Sequence, residues 1–323
     1  MKPKLSINKL GISNPFSTLG MTELINYLIN SDLFEIDYHE EQPNVMRKER
    51  ATLVKFNGKK VYIDFWEYQA PAFTNEIYNQ NYDLIIKLQI RKFYGNDLEN
   101  ACKRKGVLQN ITKEQREEYA KKIVPWTFFP SKQMKQFIGK EDSIPKLPAE
   151  SFGFFCGKTW KSRMVMRDKF IKEGVEYISS DQAFRSVMPD RIERSELKNL
   201  SKEEIAKACR PLTDEEYLRK MQTSKFGIVL PGRGSFFSEA KNRREIDYMM
   251  LKKPLLLSYK PYYYDELIEG KHYIYMNEKT DLKNLENQYN IEEIGMNGYE
   301  WYKRNASPKG CAESFLRIMQ EKL

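Results

Sequence analysis

The residues best suited to chemistry stand in one stretch of the second half of the chain. Pro231-Gly-Arg-Gly-Ser235 follows the apolar run Phe226-Gly-Ile-Val-Leu230 and precedes a helical segment, about residues 241 to 252, that carries Arg243, Arg244 and Asp247 near its start. Gly232 and Gly234 flank Arg233, so the backbone there can take positive φ and let a ligand approach closely. Such a turn, and the helix start after it, expose amide groups with no internal partner, which favours an anion. Arg233, Arg243 and Arg244 add planar cations whose donor forks match phosphate oxygens. Asp247 follows the arginine pair by three or four positions, hence on the same helix face, and could accept hydrogen bonds from a ribose. The same residues also suit a tight turn, a solvated basic helix and a surface carboxylate.

Around them the spacing predicts a helix over Tyr217-Leu-Arg-Lys-Met-Gln222, a strand over 226–230, the basic helix, and a short strand over Pro254-Leu-Leu-Leu257. Helix, strand, glycine turn, basic helix start, strand is the grammar of a nucleotide-binding α/β domain. A second unit of this kind opens with Phe152-Gly-Phe-Phe-Cys-Gly157 and continues into Lys158-Thr-Trp-Lys-Ser-Arg163 and a basic helix. A domain-opening strand and a solvated helix would read the same way.

The stretch resembles the C-terminal signature of exostosin-like glycosyltransferases. The resemblance is carried by Tyr217, Ser224-Lys-Phe-Gly-Ile-Val-Leu-Pro-Gly232, Asn242-Arg-Arg-Glu-Ile-Asp247 and Lys253-Pro-Leu-Leu-Leu-Ser258, with Asp247 where the family often has Glu and Lys252-Lys253 where it has Gly-Cys. Tyr262-Tyr-Tyr-Asp-Glu-Leu267 and Lys271-His-Tyr-Ile-Tyr275 extend it and are similar to the related protein O-glucosyltransferases; the likeness covers about residues 150 to 323.

It implies a GT-B enzyme: two Rossmann-like α/β/α domains facing a cleft, with a sugar moved from a UDP- or GDP-linked donor to a glycan or glycoprotein acceptor without an essential metal. In that scheme Gly157, Lys158 and Thr159 lie under the donor phosphates together with Pro231, Gly232, Arg233 and Gly234. Arg163 and Arg244 stabilise the departing diphosphate, Arg243 and Asp247 complete the donor site, and a carboxylate of the first domain takes the acceptor proton. Asp64, at the end of Lys60-Val-Tyr-Ile-Asp64, is the first candidate, with Glu67 and Asp83 behind it; any of them could equally be a hydrogen-bonded strand-end residue. Trp66, Tyr68 and Phe73 could stack on acceptor sugars or fill core.

Length and composition frame this reading. At 323 residues the chain can build two domains, and 41% hydrophobic with 13% aromatic content excludes a disordered protein. The boundary is expected at the Pro- and charge-rich stretch 139–150, giving domains 1–148 and 149–323, with a last helix after Ser307-Pro308 that crosses back to the first domain. A net charge of +9 favours anionic ligands, and a basic nucleic-acid-binding protein is the rival reading. No helix-turn-helix, zinc-finger or ribonucleoprotein motif supports it, and DNA is not an expected partner.

The four scattered cysteines and two distant histidines, His39 and His272, suggest no metal site and no disulfide framework. Met1-Lys-Pro-Lys-Leu-Ser6 lacks an apolar h-region and no run approaches a membrane span, so a cytoplasmic setting, or one peripheral to a membrane, is expected.

Within the first half, a helix is predicted over 21–29, a hairpin around Asn57-Gly58, a buried strand over 82–88, and irregular chain over 1–20. Val124-Pro-Trp-Thr-Phe-Phe-Pro130 is stiff and aromatic, suited to core or to a cleft wall.

Overall fold

A computed structural model describes residues 1–8, 21–41, 51–65, 82–88, 121–157, 172–179, 212–230 and 243–323, with a few single positions between 112 and 170. Among these residues the chain forms two α/β sheets.

The first sheet has the order β2-β1-β3-β4-β5-β6, built from β1 (Lys4–Asn8), β2 (Glu35–His39), β3 (Ala51–Phe56), β4 (Lys59–Asp64), β5 (Leu84–Lys87) and β6 (Ile123–Pro125). Only β3 runs against its neighbours; the pairs β1–β2, β4–β5 and β5–β6 are parallel. β3 and β4 form the predicted hairpin. Asn57 (φ 47°) and Gly58 (φ 85°) supply the two left-handed residues of a turn whose twist matches the strands it joins.

Residues 4–8 correct the expectation of an irregular start. β1 holds only two strand-forming apolar residues, Leu5 and Ile7, between polar ones, so its pattern is faint in sequence. Its buried polar positions are satisfied within the sheet: the Ser6 hydroxyl meets His39 Nδ1 at 3.0 Å, and Asn8 Nδ2 donates to the Glu41 carbonyl at 2.8 Å.

The second sheet is wholly parallel, in the order β11-β10-β9-β7-β8. It comprises β7 (Ser151–Gly157), β8 (Val175–Ser179), β9 (Ser224–Val229), β10 (Leu255–Leu257) and β11 (Tyr273–Tyr275). Renumbered from β7, the order is 2-1-3-4-5, one of the doubly wound orders. Helix α1 (Met21–Ile29) belongs to the first half of the chain. The second half carries α2 (Asp214–Gln222), α3 (Arg243–Met250), α4 (Leu285–Gln288), α5 (Ile291–Asn305) and α6 (Pro308–Lys322).

Local chemistry sets these helix ends. Thr213 and Glu216 close a reciprocal capping box on α2, and Ser307 caps α6 through Gly310 N with Pro308 in its first turn. At the end of α3 the chain turns into β10 through Lys252, which takes φ 57°, while Lys253 N donates to Tyr248 O at 3.0 Å. This is the left-handed helix stop that glycine usually supplies. A lysine fills it here.

α3 lies close on β9: a Cβ at Gly227 would sit 2.4 Å from Tyr248 Cγ, and the Tyr248 hydroxyl donates to the Phe154 carbonyl at 2.6 Å. One continuous apolar core runs through both halves of the chain. α6 packs against α1. Phe315 meets Phe34 edge-on at 6.0 Å and Trp126 at 5.2 Å, and Trp126 Nε1 donates to Ser314 Oγ at 3.0 Å.

The aromatic run after β6 is therefore core, with Trp126, Phe128 and Phe129 all buried. The segment that crosses between the sheets is tied down further by Tyr302 to Glu141 (3.1 Å) and Tyr299 to Asp142 (2.9 Å).

Candidate functional site

In a doubly wound sheet the crevice between loops that leave in opposite directions opens beyond the carboxyl ends of the strands, where the order reverses. Here that point lies between β7 and β9. β7 ends at Gly157, and β9 runs through Val229 and the buried Leu230 toward the glycine turn. The described strand ends, Gly157 and Leu230, thus stand side by side at one switch point.

Arg244, in the first turn of α3, reaches this point. Its Nε donates to the Tyr217 hydroxyl of α2 at 3.1 Å, and its guanidinium lies 5.3 Å from the ring centre of Phe155 in β7. Burial raises the Cys156 thiol pKa, and the nearby Arg244 charge only partly offsets that. A cation is therefore fixed beside the end of β7 by a hydroxyl and an aromatic face, on a rigid helix start.

The other polar residues of α3 turn elsewhere. The Arg243 guanidinium sits 4.7 Å from the Phe129 ring centre, on the crossing segment. Asp247, read from the sequence as a ribose acceptor, is 1% exposed, and its Oδ1 accepts from Ser131 N at 2.8 Å. Burial raises its pKa to about 6 against the lowering influence of Ser131, Arg243 and Arg244. Arg243 and Asp247 thus fasten the crossing segment to the start of α3.

Glu245 was not singled out in the sequence. It is fully buried and accepts from the hydroxyls of Tyr259 and Tyr263. The tyrosine-rich stretch 259–264 was the signal that could have found it, since a buried carboxylate needs donors.

In the first sheet Asp64 closes β4 and pairs in register with Lys87, the last residue of β5. Their charged groups are 3.2 Å apart and both side chains are 0% exposed. Burial lowers the Lys87 pKa while Asp64 opposes the shift. Asp83 is occupied by Lys60 N at 2.8 Å and by Lys59 at 3.3 Å. His272 is buried, accepts at Nδ1 from Ile268 N at 2.8 Å, and has its pKa lowered to about 4, chiefly by burial. Packing rather than proton transfer is its evident role.

Several sequence-selected positions lie outside the described residues: Lys158, Thr159, Arg163, Pro231, Gly232, Arg233 and Gly234, with Trp66, Glu67, Tyr68 and Phe73 of the first half. Among the described residues no group of three or more His, Cys, Asp or Glu side chains could hold a metal ion, and no helix is long and apolar enough to cross a membrane.

No protein-family profile matches the chain, and no curated protein matches it in sequence. Its resemblances are to solved structures. Anabaena HepE, solved with UDP and glucose, is 12% identical over 76% of this chain and 65% of its own length, with a TM-score of 0.41. The pneumococcal O-GlcNAc transferase GtfA, in complex with UDP and GlcNAc, is 10% identical over 75% of this chain and 45% of its own, with a TM-score of 0.33. TarM is 12% identical over 75% and 52%, with a TM-score of 0.35. The matched region thus spans just under two thirds of HepE and about half or less of the other two.

Proposed function

We propose that the chain is a nucleotide-sugar-dependent glycosyltransferase of GT-B architecture, exostosin-like in its second half, that transfers a sugar to a glycan or glycoprotein acceptor with inversion and without an essential metal. The observation that carries this reading is the β7–β9 switch point: Gly157 ends one strand, Leu230 follows the other, and Arg244 is held over Phe155 beside them. A nucleoside diphosphate is a ligand that suits this end of the sheet, because a fixed guanidinium answers phosphate charge, as amides of the glycine turn read from the sequence would.

The reaction then has two needs. As the bond from the anomeric carbon to the diphosphate breaks, negative charge grows on the leaving oxygen. Arg244 is preorganised to meet it, with Arg163 and Arg233 assigned alongside from the sequence. The acceptor hydroxyl attacks the anomeric carbon from the opposite face and gives up its proton to a carboxylate. The reading assigns that carboxylate to Asp64, at the edge where the parallel strands of the first sheet end. Its carboxylate pairs with Lys87 at 3.2 Å, and its burial requires the end of β4 to open toward the acceptor. Arg243 and Asp247 serve as the wall between the donor crevice and the crossing segment.

A thermal-shift screen against UDP, GDP and CMP and their sugars tests the reading, because a ligand that binds only the folded state raises the apparent Tm. A shift with a nucleoside diphosphate and its sugar is the expected result; none with any nucleotide contradicts it.

A further inference from the structure

At the opposite edge of the second sheet, where β9 and β10 begin, a cavity of about 840 Å³ opens beneath the Pro-rich connector 144–149. It lies away from the switch point: Lys225 is the second residue of β9, and Pro254 immediately precedes β10. Its apolar lining includes Leu147 of the connector, Pro254, and Ile291 and Met296 of α5. Met296 is 45% exposed, one of few large apolar side chains so open among the described residues. The volume falls within the range of small-molecule sites.

Four lysines line this cavity, and they are not equivalent. Lys146 pairs with Glu292 at 3.0 Å, Lys225 with Glu286, and Lys252 approaches Asp142 at 3.7 Å while lying over Tyr299. Lys253 differs. It is partly buried, its Nζ donates to the Gln222 carbonyl at 2.6 Å, and among the described residues it has no carboxylate partner. An ammonium in a partly apolar cavity with only a neutral acceptor is electrostatically incomplete.

We infer that this cavity binds an anionic amphiphile, a molecule with one acidic head group on an apolar body, whose head pairs with Lys253 and whose body lies between the 144–149 connector and α5. Two features select that class over a free anion or a neutral oil. The apolar walls exceed what a small ion could use, and the single unmatched charge asks for one acid rather than several. The Lys253 pKa, pushed down to about 8 by burial and by Lys146, supports the picture, because an acidic partner would restore the charged form.

Titration calorimetry at pH 7 with octanoate, octyl phosphate, 1-octanol and inorganic phosphate tests this directly. The expected result is saturable one-to-one binding of octanoate or octyl phosphate, at least about tenfold tighter than octanol, with no binding of inorganic phosphate. The preferred head distinguishes a carboxylate ligand from a phosphate one. Lys253→Met keeps the aliphatic stem and should bring the acid down to the affinity of the alcohol; the exposed Met296→Gln should weaken acid and alcohol alike. Wild-type affinity for the acids should fall between pH 7 and 9, and the Lys253→Met variant should not share that fall. No saturable binding of either acid, alcohol bound as tightly as acid, inorganic phosphate bound as well as octyl phosphate, or unchanged acid affinity in folded Lys253→Met would each overturn the inference.

Discussion

Arg244 Nε donates to the Tyr217 hydroxyl at 3.1 Å, joining the start of α3 to the face of α2 beside the end of β7. The bond fixes a long, mobile side chain over Phe155, so the cation is already in place before any ligand arrives. Tyr217 is a positioning residue in this account. Tyr217→Phe should cost about 1.5–3 kcal/mol of stability in urea unfolding, the range for a hydrogen bond to a charged group. It should also weaken nucleotide binding less than removal of Arg244 itself. Equal loss from both variants would mean that Tyr217 touches the ligand.

Asp247 joins the second sheet to the crossing segment through Ser131 N, and its carboxyl titrates near pH 6 in the folded protein against an ordinary value of 3.8. A raised acid pKa means the folded state holds the proton more tightly, so this group's contribution to stability falls as pH rises from about 4 to 6 and stays lost above that window. The cost of ionisation is on the order of 3 kcal/mol. Asp247→Asn keeps an acceptor for Ser131 N and should remove that decline, leaving the variant at least as stable as wild type at pH 7.5 in urea unfolding. A variant markedly less stable there would show that its ion pairing with the arginines outweighs its burial.

Gly227 is where β9 admits the ring of Tyr248. Gly227→Ala would set a methyl 2.4 Å from Tyr248 Cγ, between a central strand and a tyrosine anchored at its hydroxyl. Neither side can retreat freely, so a loss of about 1–3 kcal/mol is expected from overpacking. A neutral result in denaturant melts would show that α3 moves off the sheet easily.

Asp64 and Lys87 form a fully buried pair across β4 and β5. Removing one partner leaves an uncompensated charge, so Lys87→Met should cost about 3–5 kcal/mol, while adding Asp64→Asn should recover much of it. The same Asp64→Asn variant, folded, should lose sugar transfer while still binding donor nucleotide if Asp64 is the base. Full transfer activity would remove it from that role.

Much of the second half was legible in the sequence because local signals agreed with one another there. The helical spacing over Tyr217–Gln222, the apolar run ending at Leu230, and the Ser307-Pro308 helix start each fix an element without help from distant residues. β1 was not legible, since its buried Ser6 and Asn8 depend on partners more than thirty positions away. The site divides the same way. Arg244 stands where the motif grammar expects a phosphate-facing cation, but nothing in the spacing of Asp247 reveals that a backbone amide of the crossing segment occupies it. Lys87 was hidden for a related reason: a lysine closing an apolar strand looks solvent-facing until register sets it against Asp64.

The most direct measurement is calorimetric titration of UDP and GDP into the wild-type protein and into Arg244→Ala, with unfolding melts of both as a check on folding. Wild type should bind one of the two nucleotides, and the variant, still folded, should bind it about tenfold to a hundredfold more weakly, the equivalent of one charge-assisted contact. Equal affinity in the two proteins, or no nucleotide binding by folded wild type, would contradict a diphosphate site at the β7–β9 switch point.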